Sequence, residues 1–378
     1  MSFFTTQLQS NALKLAFGVG VFSLSTLASG LSSLPAMAAA STGTASVMQA
    51  SGTLLPGDPD ALLAGEVANQ GVQAFTRGNS AQAFEHWQRA LLLYRAAGDR
   101  PGEGRMLENL SVIHRMNNGA AEAVRFSEQA LALYQELGNE HEQPSLYLNL
   151  GSAYRLANQE ADAIASYETG LAIYQRDNDA TGERIMLSLL AQIHTDSENY
   201  TESIALNQQA LELAQRTVDR HAEAEALSEL GFAHVMTDQP AQAVAYFQPA
   251  LVLYRQLDDR AQEVATLNNL GRAASLSGDY DLALSSYQQA LNMFREMGRT
   301  SQEIQLLVNI GQAYVGAGKD TSAIASFQQV VTLTEDMRRQ QPHATTLPAR
   351  IEAAYRNLAT LLQSQNRGEE AREVLNMI

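Results

Sequence analysis

The sequence predicts an all-α fold, a right-handed α-solenoid of about eight helix–turn–helix repeats. Three observations lead to this prediction. An apolar anchor returns every forty residues, small residues follow it at fixed distances, and Ala, Leu, Gln and Glu dominate the composition. These four residue types are strong helix formers. Of the 378 residues, 45% are hydrophobic, so the chain can bury a substantial core.

The N-terminal segment, residues 1–38, differs in composition from the rest of the chain. After one positive charge, Lys14, it continues to Ala40 without any charged residue. Small residues at Ala36 and Ala38 are typical of a signal-peptidase site. We therefore expect a secretory signal peptide that is cleaved after Ala38. The alternative is an uncleaved N-terminal membrane anchor, because the uncharged stretch is long enough to span a bilayer.

The remainder of the chain divides at the point where the composition changes again. Residues 39–57 are rich in Ala, Ser, Thr and Gly, which predicts a flexible linker. Residues 58–378 are predicted to form the solenoid, and none of their stretches is apolar enough to span a bilayer. The mature protein is therefore expected to be exported and soluble, either periplasmic or secreted.

Each predicted repeat has one anchor residue in its first helix. Consecutive anchors are forty residues apart, except that eight residues are inserted within Gln340–Ala349, before the last repeat. The anchors are Gln70, Leu110, Leu150, Leu190, Leu230, Leu270, Ile310 and Leu358. The residue after each anchor and the thirteenth residue after it are small in nearly every unit, which allows the two helices of a repeat to approach closely.

Short polar segments separate the predicted helices. Within repeats they include "NNG", "SGD" and "TDQP", and between repeats they include "AAGDR", "ELGNE" and "EMGRT". A glycine near the end of one helix and a polar or acidic residue at the start of the next are typical of helix C-caps and N-caps.

This pattern resembles the tetratricopeptide repeat, and the third unit matches it closely. The matching residues are Tyr147, Leu150, Gly151, Tyr154, Ala163, Tyr167 and Gly170. The standard repeat has thirty-four residues, whereas the forty-residue period here is similar to the long-repeat branch of kinesin light chains and Leu-Gly-Asn-repeat scaffolds. The resemblance covers about residues 60–378 and implies a fold that binds proteins or peptides.

Some units depart from the family pattern. Gln70 and Ala74 weaken the match in the first unit. Ser127 and Asn207 replace the aromatic residue of the second helix in two other units. We expect those units to be packed less tightly.

The composition and motifs argue against several classes of function. A net charge of −16 disfavours a nucleic-acid binder, and the absence of cysteine excludes thiolate metal sites. The segment Gly316–Ser322 resembles part of a phosphate-binding loop, but Ala313 and Asp320 occupy positions where that motif needs Gly and Ser or Thr. No arrangement typical of a catalytic triad or a zinc protease is present. We therefore predict a protein that is not an enzyme and needs no cofactor.

Two patterns raise the question of metal binding. Asp177–Ser188 matches the first half of a calcium loop, but Ser188 stands where the loop needs Glu, so an acid-capped turn is the favoured interpretation. His114, His194 and His234 share one repeat position. Equivalent points of adjacent repeats are roughly 9–10 Å apart, too far to share one metal ion, so we expect residues at the edge of the core.

An asparagine precedes the anchor in six of the eight units. These residues are Asn69, Asn109, Asn149, Asn269, Asn309 and Asn357. Asn costs roughly half a kcal/mol relative to Ala within a helix, so its recurrence needs a compensating role. The position lies about 100° from the anchor on a helical wheel, which predicts that it points away from the core.

The resemblance implies a role for these asparagines. The first helices of tetratricopeptide proteins line a concave groove, where such an asparagine often binds the backbone of an extended peptide. We accordingly predict a partner-binding surface that also includes Arg105, Ser152, Arg272 and Gln312, which lie on the same face. The alternative is that the asparagines connect adjacent repeats to each other.

The sequence as a whole favours an exported scaffold or assembly factor that binds extended segments of a protein partner. This layout is similar to that of periplasmic tetratricopeptide assembly factors. The alternatives are a peptide-sensing receptor and a periplasmic carrier of calcium or manganese, which equilibrium dialysis would identify. We expect no nucleic-acid partner and no stable membrane insertion after signal cleavage.

The last repeat predicts a further contact. It reaches its final close-packing position at Ile378 without a polar capping helix, which solenoids normally need. We therefore expect Leu361, Leu362, Val374 and Leu375 to be partly uncovered and to favour self-association.

Overall fold

The computed structural model describes residues 59–140, 142–340 and 347–378. Within these ranges it contains sixteen helices and no strand, and the chain divides into two compact units between Asp219 and Arg220. We describe each unit by itself. The predicted signal peptide and linker, residues 1–57, lie outside the described residues.

The N-terminal unit contains four consecutive helix pairs. Its helices are α1 (Pro59–Thr76), α2 (Ser80–Ala97), α3 (Arg100–Met116), α4 (Ala120–Glu136), α5 (Gln143–Leu156), α6 (Glu160–Asp177), α7 (Ala180–Asp196) and α8 (Tyr200–Arg216). Each helix packs against the next one along the chain.

The C-terminal unit repeats this arrangement. Its helices are α9 (Arg220–Met236), α10 (Pro240–Gln256), α11 (Arg260–Ser277), α12 (Tyr280–Glu296), α13 (Thr300–Gly316), α14 (Asp320–Gln340), α15 (Ala349–Ser364) and α16 (Gly368–Leu375). The prediction of an all-α fold built from consecutive packed helix pairs is confirmed.

The turns between pairs end and begin helices as their sequences predict. The α6–α7 turn is an example: Asn178 ends α6 in the left-handed conformation, with a φ of 56°. The Asp179 carboxylate then accepts hydrogen bonds from the backbone N–H groups of Thr181 and Gly182, both at 3.0 Å. In this structure the carboxylate of Asp179 caps α7, as the acid-capped turn interpretation expects.

An aromatic ring of the second helix covers the small residue that follows the anchor. At Gly151 an added Cβ would lie 2.6 Å from the ring of Tyr167, and at Gly311 it would lie 2.5 Å from the ring of Phe327. Gly71, Gly231 and Gly271 are covered in the same way by Trp87, Phe247 and Tyr287. Glycine is thus needed for the close approach of a ring to the first helix.

Two of the units without this aromatic residue use hydrogen-bonding side chains. The hydroxyl oxygens of Ser111 and Ser127 are 2.6 Å apart, and Ser111 also donates to the Ala123 carbonyl at 2.9 Å. Asn207 donates to Ser203 at 3.3 Å. Ser127 and Asn207 are both buried. Buried, hydrogen-bonded side chains therefore occupy these two positions, and looser packing of the units stays a prediction.

The first helices of neighbouring pairs also contact each other. In the N-terminal unit α3 contacts α5, and in the C-terminal unit α9, α11, α13 and α15 form a continuous series of contacts. The surface that the first helices form within each unit is called the first-helix face of that unit below. Its residues are Arg105, Asn109, Asn149 and Ser152 in the N-terminal unit and Asn269, Arg272, Asn309, Gln312 and Arg350 in the C-terminal unit.

The last helix pair is covered more fully than expected. Leu362 and Val374 are buried, so the prediction that they are partly uncovered is wrong. Both belong to the face where α15 and α16 pack together. Leu375 is 42% exposed, as predicted, and Ile378 is 40% exposed. No helix within the described ranges is both long enough and apolar enough to cross a membrane.

Candidate functional site

The asparagines that precede the anchors fall into two groups. Asn69 and Asn357, in the first and last repeats, are exposed. The four internal ones are mostly covered, and their exposed fractions are 2% for Asn109, 8% for Asn149, 9% for Asn269 and 8% for Asn309. The expectation that this position points away from the core is wrong for these four. The helical wheel considers one helix alone, whereas neighbouring first helices cover this side.

Asn309 connects three consecutive first helices. Its Nδ2 donates to Oδ1 of Asn268 on α11 at 3.3 Å, and its own Oδ1 accepts a hydrogen bond from the guanidinium of Arg350 on α15. This geometry supports the inter-repeat role for Asn309. Among the described residues the side chains of Asn109 and Asn149 form no hydrogen bond, so their role in partner binding stays a prediction.

We expect Asn309→Ala and Asn149→Ala to differ in stability. Asn309→Ala removes two hydrogen bonds, each worth about 0.5–1.5 kcal/mol net, and should lower the free energy of unfolding by roughly 1–2 kcal/mol. Asn149→Ala should change it by only a few tenths of a kcal/mol, because Ala is the better helix former. Chemical denaturation of both variants measures the difference. Equal losses would show that Asn149 also supports the stacking of repeats.

Several buried polar atoms on the first helices have no hydrogen-bond partner within the described ranges. They are Nε of Arg105, Nδ2 of Asn269, Nε of Arg272, Oε1 of Gln312, Nε of Arg350 and the hydroxyl oxygens of Ser228 and Thr266. Four of these seven residues belong to the surface predicted from sequence. A buried polar atom without a partner costs about 1–3 kcal/mol, and most buried polar atoms are paired. Each of these atoms has almost no exposed surface, so a ligand would reach it only if the side chains that cover it moved.

Sequence reasoning missed Arg350. It lies at the start of α15, directly after the eight-residue insertion, where the forty-residue register no longer aligns positions.

Ser152 was predicted from the sequence to belong to the partner-binding surface. Its hydroxyl donates to the Leu148 carbonyl at 2.8 Å and lies 3.0 Å from the Tyr167 hydroxyl, so it already has partners within the chain.

In the C-terminal unit burial and neighbouring charges shift the pKa values of two arginines, Arg272 and Arg350. Burial lowers the pKa values of Arg272 and Arg350, and for Arg272 the neighbouring charge of Arg350 lowers the pKa further. Both act on Tyr287, whose pKa burial raises and the two arginines lower. Neither arginine forms an ion pair with a described carboxylate.

The N-terminal unit has a different electrostatic environment on its first-helix face. Burial of Glu108 raises the pKa of its carboxyl group to about 7, against the lowering effect of a hydrogen bond with Tyr134. The charge of Glu142 raises this pKa further, and the charge of Arg105 lowers it. Arg105 therefore has an acidic neighbour, whereas no carboxylate of the described residues forms an ion pair with Arg272 or Arg350.

The three histidines at the shared repeat position each contact side chains of this chain. His114 packs between Phe84 and Phe126, with ring centroids 5.3 and 5.4 Å away. His234 is stacked on Tyr246 at 5.2 Å. A nitrogen of His194 lies 3.3 Å from the side chain of Asn199. In the described part of the chain no three His, Asp or Glu side chains group in a way that could hold a metal ion.

Consecutive packed helix pairs of this kind define a helical repeat protein. A family model described as tetratricopeptide repeat matches residues 63–136, 183–256, 223–296 and 263–336, together more than half of the chain. The chain belongs to the tetratricopeptide repeat family. A second model, described as soluble NSF attachment protein, matches residues 106–218. No curated protein matches the sequence.

Solved structures with the same fold are distant in sequence. A Signal Transduction ATPase with Numerous Domains that has a tetratricopeptide repeat sensor, from Pyrococcus horikoshii, is 14% identical with a TM-score of 0.61, covering 84% of this chain and 46% of that one. This chain therefore spans less than half of that protein. The quorum sensor NprR from B. thuringiensis is 14% identical with a TM-score of 0.56, covering 86% of this chain and 89% of that one.

A third similar structure is that of RapI, which is 11% identical with a TM-score of 0.53. The match covers 71% of this chain and 96% of that one. At these identities the similarities establish a common fold.

Proposed function

We propose that this protein is a non-enzymatic scaffold or assembly factor that binds extended segments of another protein on its first-helix face. The observation that carries the proposal is the set of buried polar atoms without partners on the first helices. Such atoms destabilise the free protein. An extended chain that displaces the side chains covering them can satisfy them, because it presents backbone N–H and C=O groups along its length.

The spacing of the repeats suits an extended chain. Neighbouring first helices pack at roughly 8–10 Å, and an extended chain rises about 3.3 Å per residue, so each repeat would meet about three residues of the partner. An amide side chain offers a donor and an acceptor, which match a peptide carbonyl and a peptide N–H.

We expect Gln312→Leu to weaken peptide binding without loss of stability. The change removes Oε1, a buried acceptor without a partner, and one net hydrogen bond corresponds to about a two- to tenfold change in affinity. The full chain would be probed against an array of random ten-residue peptides, followed by titration of the strongest binders. Gln328→Leu, at an exposed position of the second helix α14, is the matched control.

Two results would contradict the proposed function. One is a peptide array with no binding above that of an unrelated helical protein. The other is an equal loss of affinity in Gln328→Leu and Gln312→Leu, which would place the peptide away from the first-helix face.

A peptide-sensing receptor is the second candidate, because the same face would bind a free signal peptide. The fold similarity to a quorum sensor makes this candidate worth testing. Hydrogen exchange of the full chain with and without a bound array peptide distinguishes the two functions. A sensor should change protection on helices far from the peptide, whereas a scaffold should change it only at the contact.

We also propose that the protein is exported, on the basis of the uncharged stretch and the small residues before Ala39. Expression of the full chain in a bacterial host, followed by N-terminal sequencing of the exported fraction, should identify Ala39 as the first residue. Recovery of an intact N-terminus in the membrane fraction would support the anchor instead.

Self-association is proposed for the surface around Leu375 and Ile378, which are both substantially exposed. Light scattering at increasing concentration should show dimers for the wild type and monomers for Leu375→Glu. A monomer at all concentrations would contradict this part of the proposal.

A further inference from the structure

One side of α15 continues the surface through which the first helices stack. Asn309 in α13 shows how two neighbours use this surface, because its amide bonds Asn268 on one side and Arg350 on the other. Asn357 has the same repeat position in α15, directly before the anchor Leu358. Within the described ranges α15 packs against α13, α14 and α16, and Asn357 is exposed, whereas Asn309 is only 8% exposed. Among the described residues, nothing covers Asn357 as the neighbouring helices cover Asn309.

The residues one turn on either side of Asn357 are complementary in size. Ala353 lies four residues before Asn357 and is exposed, and Leu361 lies four residues after it and is half-buried. Side chains at this spacing form one ridge along a helix. A two-fold axis beside Asn357 would place Leu361 of each copy against Ala353 of the other, so the ridge is complementary to itself. The two Asn357 amides would then meet, and each offers the other a donor and an acceptor.

The charge of the last helix pair also favours a second copy of this chain. Residues 349–378 contain four arginines and four glutamates and so carry no net charge, whereas the whole chain carries a net charge of −16. Two such acidic chains repel each other over most of their surface. In α1, the other terminal first helix, Asp60 and Glu66 are acidic and no residue is basic. Contact through the last helix pair avoids this repulsion.

Exposed apolar side chains accompany the ridge. Leu375 has the same repeat position as Trp87, whose ring packs on Gly71 in the first helix of its own pair. By this correspondence Leu375 lies beside the middle of α15. Leu375, Met377 and Ile378 are 42%, 39% and 40% exposed. Burying these side chains would supply the apolar part of the association energy.

We propose that two copies of this chain associate around a two-fold axis beside Asn357, where their α15 helices cross in antiparallel orientation. The inference rests on the self-association proposed for Leu375 and Ile378, and it specifies the symmetry and the central residue of that contact. A two-fold interface uses the same surface of both copies, so it forms closed dimers and no longer assemblies.

The first test introduces like charges at the axis of the full chain. Asn357→Asp keeps the shape of the side chain and places two carboxylates next to each other across the axis. We expect dimerisation to become about ten- to a hundredfold weaker, as measured by analytical ultracentrifugation. Asn69→Asp, the same change at the equivalent exposed position of α1, is the matched control and should leave dimerisation unchanged.

The absence of cysteine from this chain allows a second test, of the symmetry itself. Closely packed helices bring facing backbones within the distance that a disulfide needs. Asn357→Cys, oxidised with diamide, should form a covalent dimer because the residue meets its own copy. Ala353→Cys alone should form little, because it meets Leu361. A mixture of Ala353→Cys and Leu361→Cys should form the covalent dimer again.

The outcomes separate this inference from the proposed self-association. If the wild type stays monomeric at every concentration, both fail. If dimers form but Asn357→Asp leaves them intact and Asn357→Cys is not cross-linked, the two-fold geometry is overturned and the surface around Leu375 remains. If Asn357→Cys is cross-linked only after mixing with Asn69→Cys, the copies associate head to tail, and the inference is overturned as well.

Discussion

Replacing Gly151 with leucine is expected to destabilise the N-terminal unit by roughly 1–3 kcal/mol or more, because the new side chain overfills a packed interface. Even the Cβ atom would lie 2.6 Å from Cε1 and 2.7 Å from Cδ1 of Tyr167. That ring has 0% exposure, and its hydroxyl lies 3.0 Å from the Ser152 hydroxyl. The ring therefore cannot move aside without breaking other contacts.

A matched pair of smaller substitutions isolates the steric effect. At Gly65 on α1 an added Cβ would meet only the Tyr94 hydroxyl, at 3.7 Å, which is an ordinary contact. Gly65→Ala should stabilise α1 by about 0.5–1 kcal/mol, because alanine restricts the unfolded chain and favours helix. Gly151→Ala should be destabilising despite the same propensity gain.

Urea denaturation of these variants provides the measurement, and a double-mutant cycle assigns the cause. In a Tyr167→Ala background, Gly151→Ala should lose its cost, because the ring that it strikes is absent. If Gly151→Ala is as stabilising as Gly65→Ala in the wild-type background, the close approach of ring and helix is not present in solution.

Replacing Glu108 with glutamine is expected to stabilise the protein at pH 8 and to have little effect at pH 4. Desolvation raises the pKa of this buried carboxyl group from 4.5 to about 7. Between these values the folded state holds a proton that the unfolded state has released. The contribution of Glu108 to stability therefore falls as the pH rises from 4.5 to 7.

The size of this change in stability follows from the pKa shift of Glu108. One pKa unit corresponds to about 1.4 kcal/mol, so the ionised carboxylate costs on the order of 3 kcal/mol once the pH exceeds 7. Glutamine keeps an oxygen that can accept the hydrogen bond from Tyr134 and carries no charge. The charge of Arg105 lowers the pKa of Glu108, and the charge of Glu142 raises it. Replacing either residue should therefore shift the pH range over which the stability falls.

Free energies of unfolding measured from pH 4 to pH 8 check this prediction. The difference between Glu108→Gln and the wild type should grow through this range and then level off. Glu85→Gln, at an exposed position of α2, is the control and should give a small and constant difference. Parallel pH curves for Glu108→Gln and the wild type would show that the carboxyl group is not buried as described.

Much of the candidate site was accessible from the sequence. Arg105, Asn269, Arg272 and Gln312 were predicted because they share a helix face with the recurring asparagine, and each carries a buried polar atom without a partner. The face of a single helix follows from its 3.6-residue period. Sequence reasoning could not tell an unpaired side chain from a paired one, as Ser152 shows.

The sequence by itself determined the helix pairs, their period and the positions where small residues allow two helices to approach closely, because these depend on residues less than forty positions apart. Only the tertiary structure decided what lies between first helices. Stacking brings α11, α13 and α15 together, and this contact covers Asn309 and joins it to Asn268 and Arg350, each forty-one residues away. The same stacking brings the charge of Arg350 near enough to lower the pKa of Arg272, although an insertion obscures their register in the sequence. Spatial proximity in a stacked repeat follows layers of repeats and not distance along the sequence.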